Sequence, residues 1–413
     1  MKYILALNCG SSTLKYQVFD ADAKTPVLSG NVEKIGSPDS FVTQKYPDGA
    51  KTRKDASMKD HSEALNVVMF MLREASIDLN EIIAVGHRVV HGGEKFKSSV
   101  AITDEVIRTI EELSPLAPLH NPPNLMGIVI AKQLLPNARQ VAVFDTAFHQ
   151  SMPDYAYRYA VPAAWYRELG VRRYGFHGTS HLYVSKRAAH LLGRPAKDVN
   201  LVTLHIGSGA SAAAIRGGLS VDTSMGMTPL AGLTMGTRPG DVDPGVIFYV
   251  MERLGLTSAQ MQVHLNKQSG LLALTECEDD RRYIQEHAMN DDLCRLAIDV
   301  ESNNVKKYIG SYMAELGRVD AIVFTAGGGE NDFVLRGRIC EGLEELGIKI
   351  DVAKNNTTAK YMGVGETEIS TPDSKIKVFM IPTNEELVIV EDTIAIANGT
   401  YNPNHLEMKY SFT

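Results

Sequence analysis

Two segments of this chain share one pattern: an apolar strand, a turn of small polar residues, and a second strand. The first spans residues 4–19 with its turn at 8–13, and the second spans 199–215 with its turn at 207–211. Glycine lets a backbone turn tightly and approach a ligand, and Ser and Thr hydroxyls with exposed N–H groups suit an anion. Lys15, just after the first turn, adds a charge that can reach a phosphate. Either segment alone is also explained by an ordinary hairpin with a polar tip, so the repetition is what favours two related domains with a phosphate site in each.

The length and charge of the chain limit the classes of protein to which it can belong. With 413 residues it is too long for one hydrophobic core, so we expect at least two domains. The formal net charge of −7, without a basic block, argues against nucleic acid or a membrane as partner. No window approaches the roughly 18 apolar residues of a membrane span, and the short apolar run at the N-terminus is a poor export signal. The four cysteines are scattered without a CxxC pair, which favours a cytoplasmic location and no zinc site.

Apolar periodicity predicts alternating strands and helices, which is typical of an α/β fold. The predicted strands are 4–7, 14–19, 82–90, 140–144, 199–206, 212–215, 321–324 and 377–381. The predicted helices are 61–75, 103–113, 124–135, a helix ending at Leu192, 293–316 and 385–397. Residues 146–162 are expected to connect two domains, and the Gly- and Met-rich segment 223–244 to be a functional loop.

Three Gly-rich turns follow apolar strands, at 8–13, 205–211 and 325–331. None contains the lysine of a Walker loop and none is a full GxGxxG, so P-loop and Rossmann folds are disfavoured. One such turn is more often structural than functional. Three in one chain favour a nucleotide held between two domains, with backbone N–H groups around its phosphates.

Seven segments, in order from residue 4 to about residue 395, resemble the acetate kinase family. They are Ala-Leu-Asn-Cys-Gly-Ser-Ser-Thr-Leu-Lys-Tyr at 6–16, Gly-His-Arg-Val-Val-His-Gly-Gly at 86–93, Asp-Thr-Ala-Phe-His at 145–149, Gly-Phe-His-Gly-Thr-Ser-His at 175–181, Asp-Thr-Ser-Met-Gly at 222–226, Gly-Thr-Arg at 236–238 and Ile-Pro-Thr-Asn-Glu-Glu-Leu at 381–387. The family belongs to the superfamily of sugar kinases, heat-shock ATPases and actin. The resemblance implies an α/β fold of two duplicated ribonuclease-H-like domains with the active site in the interdomain cleft. The N-terminal domain is expected at 1–150, completed by about 382–413, and the nucleotide-binding domain at 151–381.

The resemblance also implies an activity, the reversible transfer of a phosphoryl group from ATP to acetate, which gives acetyl phosphate and ADP. Transfer is expected by direct in-line attack with Mg²⁺, for which Mn²⁺ can substitute. Such chemistry needs no general base, because a carboxylate of pKa about 4 is ionised at neutral pH. It needs positive charge around the transferring group, because two anions must meet.

The resemblance assigns catalytic roles to four residues. Arg88 is expected to bind the acyl carboxylate, Arg238 and His177 to stabilise the transition state, and Asp145 to act in catalysis. Asp145 ends a buried strand, where we expect metal or water to satisfy its carboxylate. Without the motifs, both arginines would be interpreted as salt-bridging residues and His177 as a core histidine.

The remaining site residues fall into three groups. The acyl pocket is expected to be lined by Val90, Leu119, Phe176 and Pro229, with His120 on the phosphate path. Asn8 and Glu385 are the expected metal ligands, although an acidic residue in the first turn of a helix is also common for Glu385. The nucleotide is expected to contact Ser11, Thr13, Lys15, His205, Ile206, Gly207, Ser208, Gly209, Asp280, Arg281, Arg282, Gly327, Gly328, Gly329, Glu330 and Asn331. A solvated charge run explains 280–282 equally well.

Three residues depart from the family pattern: Thr13 where Ser is usual, Ser208 where Asn is usual, and Gly328 in place of a larger aliphatic residue. Thr13 keeps the hydroxyl. Ser208 shortens a side-chain donor, which puts its phosphate contact and the choice of phosphoryl donor in doubt, and Gly328 is expected to loosen selectivity for the base.

Val90 suggests a pocket sized for acetate, with propionate slower but not excluded, since one methylene changes discrimination by about 1–3 kcal/mol. The alternatives are a short-chain acyl kinase that prefers propionate, a variant that uses pyrophosphate, and a chaperone-like or filament-forming nucleotide-binding protein. The last would need the nucleotide turns but neither Arg88 nor His177. A homodimer is expected from the resemblance alone.

Overall fold

The computed structural model describes residues 1–413, which divide into two compact units. Unit 1 comprises Met1–Gln150 and Asn384–Ser411, and unit 2 comprises Ser151–Thr383 and Phe412–Thr413. Each unit contains one β-sheet, with eight strands in unit 1 and six in unit 2. No helix is both long and apolar enough to cross a bilayer.

The strands alternate with helices along most of the chain. The strands are β1 (Tyr3–Cys9), β2 (Leu14–Asp20), β3 (Pro26–Glu33), β4 (Phe41–Lys45), β5 (Lys51–Asp55), β6 (Ile82–Val89), β7 (Val100–Ala101), β8 (Arg139–Phe144), β9 (Asn200–Ile206), β10 (Ala210–Arg216), β11 (Leu219–Thr223), β12 (Ala321–Thr325), β13 (Thr367–Glu368) and β14 (Lys377–Met380).

The α-helices are α1 (His61–Glu74), α2 (Asp104–Glu112), α3 (Asn121–Leu134), α4 (Asp154–Tyr157), α5 (Ala163–Leu169), α6 (Gly178–Leu191), α7 (Pro244–Leu254), α8 (Ser258–Lys267), α9 (Gly270–Thr275), α10 (Arg281–His287), α11 (Asp292–Leu316), α12 (Ala326–Asn331), α13 (Phe333–Cys340), α14 (Val352–Asn356) and α15 (Glu385–Ala397). Short 3₁₀ turns occur at Leu79–Glu81, Ser114–Leu116, Ala147–Ser151, Ala196–Asp198, Glu344–Leu346 and Lys360–Met362.

The sheet of unit 1 has the order β5-β4-β3-β2-β1-β6-β8-β7. β1 pairs antiparallel with β2 and parallel with β6, and β6 pairs parallel with β8. Alternate residues of β1 point to opposite faces. Leu5 and Leu7 therefore join a core with residues of α1 and α3, while Ile4 and Ala6 join a second core with α15.

The sheet of unit 2 repeats the central part of this arrangement in the order β11-β10-β9-β12-β14-β13. β9 and β10 form an antiparallel hairpin like that of β1 and β2, and β12 and β14 continue the sheet in parallel. In both units three antiparallel strands, β1–β3 or β9–β11, lie beside two strands parallel to the first of them. These two strands are β6 and β8 in unit 1, and β12 and β14 in unit 2. The predicted α/β class with duplicated ribonuclease-H-like folds is confirmed.

Most predicted elements are present, and the differences have local causes. α15 has the predicted bounds, with Asn384 accepting from Leu387 N as its cap. α3 begins at Asn121, earlier than the predicted Asn124, because prolines in a first helical turn forfeit only N–H groups that lack a partner anyway. The Gly-rich segment at 325–331 was predicted as a turn but is itself helical as α12, and α13 begins directly after it at Phe333.

Candidate active site

The turn between β1 and β2 is held from several sides by hydrogen bonds to its backbone. Gly10 N donates to Thr13 O across the turn at 2.8 Å. Asn124 Nδ2, on α3, donates to Cys9 O at 2.6 Å, and His61 Nε2 lies 2.7 Å from Gly10 O. The backbone of this hairpin is therefore fixed before any ligand binds.

Arg88 and Asp145 form a bidentate ion pair at the carboxyl ends of the neighbouring strands β6 and β8. Arg88 Nε donates to Asp145 Oδ1 at 2.9 Å, and Nη2 donates to Oδ2 at 2.6 Å. The side chain of Asp145 is 1% exposed and that of Arg88 22% exposed. Burial alone would lower the pKa of Arg88, but the charge and hydrogen bonds of Asp145 raise it above the ordinary arginine value, with smaller contributions from Glu385 and Glu386.

This pair gives the carboxylate of Asp145 a protein partner that the sequence analysis did not name. Both of its oxygens accept hydrogen bonds from Arg88, and metal or water at this carboxylate stays a prediction. Arg88 is thus a salt-bridging arginine, as the alternative interpretation had it. Arg88 also lines a cavity, and its Nη1 takes no part in the ion pair with Asp145.

A cavity of about 450 Å³ in unit 1 brings four of the predicted residues of this unit together. It is lined by Asn8, Lys15, Arg88 and Glu385. Glu386, which the sequence analysis missed, also lines it, and its position beside Glu385 in the first turn of α15 was the available signal. The exposed ammonium group of Lys15 forms no ion pair with any carboxylate, so its charge is available to an anion.

The predicted acyl-pocket residues divide between the two units. In unit 1, Val90 is buried and its N–H donates to Asn124 Oδ1 at 3.0 Å, whereas Leu119 is 50% exposed. In unit 2, Phe176 is buried and Pro229 accepts a hydrogen bond through its carbonyl group. His120 immediately precedes α3 as its N-cap residue.

The second hairpin, between β9 and β10, is as tightly held as the first. Gly207 N donates to Gly209 O at 3.0 Å, and Ser208 O accepts from Gly236 N at 3.0 Å. Arg281 Nη1 donates to Gly207 O at 2.8 Å. Ser208 is exposed at the tip, so its shorter side chain faces solvent and leaves the backbone of the turn intact.

Arg238 places an uncompensated charge beside this hairpin. Its Nη1 donates to Pro229 O at 2.7 Å, but no carboxylate lies within 4.0 Å of its guanidinium. A Cβ on Gly209 would lie only 2.5 Å from Arg238 Nη2, so a side chain there would displace the guanidinium group. Burial lowers the pKa of Arg238, and a half-buried cation without an anionic partner is costly unless an anion binds it.

His177 lies against the same hairpin in a strained backbone conformation. Its φ of 55° is in the left-handed region, which a non-glycine residue occupies at a cost of about 1–2 kcal/mol. Its ring stacks on that of His205 with centroids 4.0 Å apart and planes 15° apart. His177 Nε2 lies 3.5 Å from the Cβ position of Gly209, so Arg238 and His177 flank the same point of the backbone.

The glycines of α12 differ in their surroundings. A Cβ on Gly328 would lie 3.0 Å from Ile206 O, whereas a Cβ on Gly327 would have nothing within 4 Å. Gly328 thus packs α12 closely against β9, and its effect on base selectivity stays a prediction. Gly327 is the position with open space beside it.

Other predicted nucleotide residues are occupied by structural contacts. Glu330 is 3% exposed, and its Oε1 accepts from the backbone N–H groups of Ala326 and Thr383, both at 2.9 Å. Asn331 Nδ2 donates to Gly327 O at 2.9 Å. These contacts fix the start and end of α12.

The charged segment at 280–282 is only partly a solvated run. Arg281 is buried and pairs with Glu301. Arg282 is exposed, and its ion pair with Asp280 lies at the surface. The structure therefore links Arg281, but not Arg282, to the second hairpin.

The sequence and the fold match proteins of known family. A profile of the Acetokinase family matches residues 3–391. The chain belongs to the acetokinase family. It is similar to the acetate kinase of Geobacter sulfurreducens, with 51% identity over 99% of this chain and 98% of that protein. The acetate kinase of Fervidobacterium nodosum is also 51% identical, over 94% of this chain and 96% of that protein.

Two solved structures extend this comparison. The acetate kinase of Porphyromonas gingivalis has a TM-score of 0.90 and 45% identity, over 96% of this chain and all of that one. A propionate kinase from Francisella tularensis has a TM-score of 0.89 and 40% identity, over 94% of this chain and 98% of that one. Membership of the acetokinase family makes the chain a phosphotransferase, and the predicted family is confirmed.

Within this family framework, the structure groups the predicted catalytic residues into two sets. Arg88 and Asp145 are joined in unit 1, and His177 and Arg238 lie together in unit 2. The sequence analysis missed Ser211, whose hydroxyl contacts His177 Nδ1 at 2.9 Å. Its place in the second polar turn, at 207–211, was the available signal.

Proposed function

We propose that the protein is an acetate kinase, which transfers a phosphoryl group reversibly between ATP and acetate to form ADP and acetyl phosphate. The relatives named acetate kinase support the substrate. The observation that carries the proposal is the unpaired charge of Arg238 beside Gly209, with His177 on the same point of the backbone. A transferring phosphoryl group would supply the missing negative charge.

Unit 1 is proposed to bind the acetate carboxylate through Arg88. The bidentate pair with Asp145 uses Nε and Nη2 and so fixes the plane of the guanidinium. Nη1 then remains to donate to acetate. Asp145 acts by orienting Arg88, and Val90 with Leu119 would contact the methyl group.

Unit 2 is proposed to bind the nucleotide. The N–H groups of the turn at Gly207, Ser208 and Gly209 would receive its phosphates, with Lys15 of unit 1 as a further cation. The open space beside Gly327 suits a flat purine ring. Arg281 supports the turn from behind by donating to Gly207 O.

The proposed chemical step is a direct in-line transfer. An oxygen of acetate forms a bond to the γ-phosphorus as the bond between that phosphorus and the β–γ bridging oxygen breaks, and the bond electrons stay with ADP. Arg238 and His177 would donate hydrogen bonds to the equatorial oxygens, where negative charge is spread in the transition state.

A magnesium ion fits the residues of the unit 1 cavity. Asn8, Glu385 and Glu386 offer hard oxygen ligands there. That suits Mg²⁺, which is commonly held by one or two carboxylates together with water and substrate phosphates. When bound, Mg²⁺ or Mn²⁺ would neutralise phosphate charge.

We further propose a homodimer formed through α7. None of its residues is buried, and four of its large apolar side chains are exposed. These are Val246, Phe248, Tyr249 and Leu254, which are 46%, 72%, 60% and 68% exposed. A helix this apolar on its outer surface favours association with a second copy. Phe248→Asp should give a monomer by size-exclusion chromatography with light scattering, while Tyr155→Asp, at a 73% exposed aromatic on α4, should leave the dimer intact. A monomeric wild-type protein would contradict the proposal.

A cytoplasmic location is proposed as well, because all four cysteines are free thiols. The two domains are proposed at 1–150 with about 382–413, and at 151–381.

The activity is tested by trapping acetyl phosphate with hydroxylamine, with acetate, propionate and butyrate as acceptors and ATP or pyrophosphate as donor. We expect the highest kcat/KM with acetate and ATP. Equal or better turnover of propionate would favour the activity of the Francisella tularensis relative, and product from pyrophosphate would favour the variant donor. Absence of any acyl phosphate would overturn the proposal.

A second arm separates catalysis from nucleotide binding. Arg88→Ala should abolish acetyl phosphate formation while ADP still binds, as measured by calorimetry. Arg295→Ala is the matched control, because this arginine is exposed, pairs with Asp292 on α11 and belongs to no predicted site. Full activity of Arg88→Ala would instead favour a nucleotide-operated binding protein.

A further inference from the structure

A chain of buried polar side chains in unit 2 ends at His177. Thr203 Oγ1 on β9 lies 2.7 Å from His181 Nδ1 on α6, and His181 Nε2 lies 2.8 Å from Ser211 Oγ on β10. Ser211 Oγ in turn lies 2.9 Å from His177 Nδ1. Thr203, His181 and Ser211 are all fully buried, so each hydrogen in the chain needs an acceptor within it.

Thr203 decides the direction of these hydrogen bonds, because its hydroxyl has His181 as its single partner. If Thr203 accepted from His181, its own hydrogen would be buried without an acceptor. If it donates, only oxygen lone pairs are left unused, which is less costly. The penalty for a buried unsatisfied donor corresponds to a population ratio of roughly fivefold to a hundredfold in favour of donation by Thr203.

The direction set at Thr203 passes along the chain. His181 Nδ1 accepts, so the hydrogen of a neutral His181 is on Nε2 and is donated to Ser211 Oγ. The hydroxyl hydrogen of Ser211 is then donated to His177 Nδ1. His177 Nδ1 therefore carries no hydrogen, and the hydrogen of the ring is on Nε2, the nitrogen nearest the Cβ position of Gly209.

We infer that Thr203, His181 and Ser211 are positioning residues that lock His177 in the Nε2–H tautomer, so that a neutral imidazole presents a hydrogen-bond donor to the hairpin at Gly207–Gly209. The role of this donor in phosphoryl transfer rests on the proposed function, whereas the tautomer of His177 follows from the hydrogen bonds alone. The inference names residues that act through His177 and do not themselves touch a substrate.

The lock also opposes protonation of His177. A second proton on Nδ1 would have to be donated to Ser211, which would reverse every bond in the chain and leave the hydrogen of Thr203 without an acceptor. Other titratable or charged groups near the ring include His205, which stacks on it, and Arg238. Asp279 lies in the adjoining loop, with its Oδ2 2.8 Å from the Cβ position of Gly236.

The tautomer can be measured directly by nitrogen NMR of the wild-type protein labelled with ¹⁵N-histidine, because protonated and bare ring nitrogens have well-separated shifts. His177→Gln assigns the signal of His177 by its disappearance. At neutral pH we expect at least about a fivefold excess of the Nε2–H over the Nδ1–H form at His177. A predominant Nδ1–H form would overturn the inference, whatever the kinetics.

Variants test whether the chain is the cause. Ser211→Ala should give a mixture of tautomers at His177, whereas His181→Gln should keep the Nε2–H form, because its amide can accept from Thr203 and donate to Ser211. Ser224→Ala is the matched control, since it deletes another buried hydroxyl, which accepts from Ala212 N at 2.8 Å, without touching the chain. A single unchanged tautomer in Ser211→Ala would overturn the inference.

The pH dependence of kcat gives a readout that loss of packing would not. In Ser211→Ala the kcat deficit should shrink as the pH falls, because a protonated His177 carries hydrogen on both nitrogens and recovers its donor at Nε2. A deficit independent of pH would mean that Ser211 acts by packing and would overturn the positioning role. Failure of the wild type to form acetyl phosphate would overturn the proposed function and leave the NMR result standing.

Discussion

Replacing Asp145 by asparagine tests the view that this residue orients Arg88. The substitution keeps the shape of the side chain but removes its charge and turns one acceptor into a donor. Arg88 Nε can still donate to the remaining oxygen, whereas Arg88 Nη2, now 2.6 Å from an oxygen, would face an amide N–H₂. One charge-assisted hydrogen bond is therefore lost and a half-buried cation loses its counter-charge.

The stability change follows from the burial of the pair. A hydrogen bond to a charged group contributes about 1.5–3 kcal/mol, and breaking a fully buried pair costs about 3–5 kcal/mol. Because Arg88 keeps 22% of its side chain exposed and can be partly hydrated, we expect about 2–4 kcal/mol for Asp145→Asn. Asp104→Asn is the control, since Asp104 is 78% exposed in its pair with Lys132 and this substitution should change stability little.

The measurements are urea unfolding and steady-state kinetics with hydroxylamine trapping. The variant should raise the KM for acetate and lower kcat, because Arg88 is no longer held in one plane, while the KM for ATP changes little. A variant with unchanged stability and unchanged KM for acetate would refute the orienting role. A change confined to the Mg²⁺ requirement would refute it as well, in favour of metal coordination by Asp145.

Three further predictions concern other parts of the molecule. Burial raises the pKa of Asp392 to about 6, against about 3.9 in an unfolded chain. The folded protein therefore binds this proton more tightly than the unfolded chain, which stabilises the fold fully below pH 4, and this stabilisation is lost as the pH rises through 6. Asp392→Asn should therefore increase the free energy of unfolding by up to about 2–3 kcal/mol more at pH 8 than at pH 4, as measured by urea unfolding. The same change in this free energy at both pH values would contradict the prediction. Gly328→Ala should lower the melting temperature because its Cβ meets Ile206 O at 3.0 Å, whereas Gly327→Ala should leave it unchanged and raise the KM for ATP. Glu385→Ala should raise the Mg²⁺ concentration needed for half-maximal rate, and an unchanged requirement would exclude Glu385 as a ligand.

The elements that sequence could predict are long apolar segments with clear ends. The hairpin strands and α15 are such segments, and they were predicted with bounds close to those observed. β5 (Lys51–Asp55) has no apolar residue and is fully exposed, as suits a charged edge strand that resists further pairing. α7 follows directly on the Gly-rich segment at 223–244 and was not predicted, although Pro244 at its start and the left-handed Gly255 at its end were available signals.

The site was predicted as a set of residues but not as a set of contacts. Arg88 and Asp145 are 57 residues apart, and only the parallel pairing of β6 with β8 brings them to the same edge of the sheet. The sequence suggested a buried carboxylate at Asp145 without revealing its partner. The contact of Ser211 with His177 could not be predicted either, because the sequence of a Gly-rich turn does not indicate which side chain a serine hydroxyl contacts.

The two arginines of the proposed site differ in a way that bears on the order of events. Arg88 already has a counter-charge, so its position is fixed without substrate, and acetate adds hydrogen bonds to a preorganised donor. Arg238 has none, so its half-buried charge is stabilised only when an anion binds. Nucleotide phosphate should therefore stabilise unit 2 against unfolding, by an amount that falls when Arg238 is replaced by methionine. Acetate alone should stabilise unit 1 far less, because the ion pair with Asp145 has already compensated the charge of Arg88.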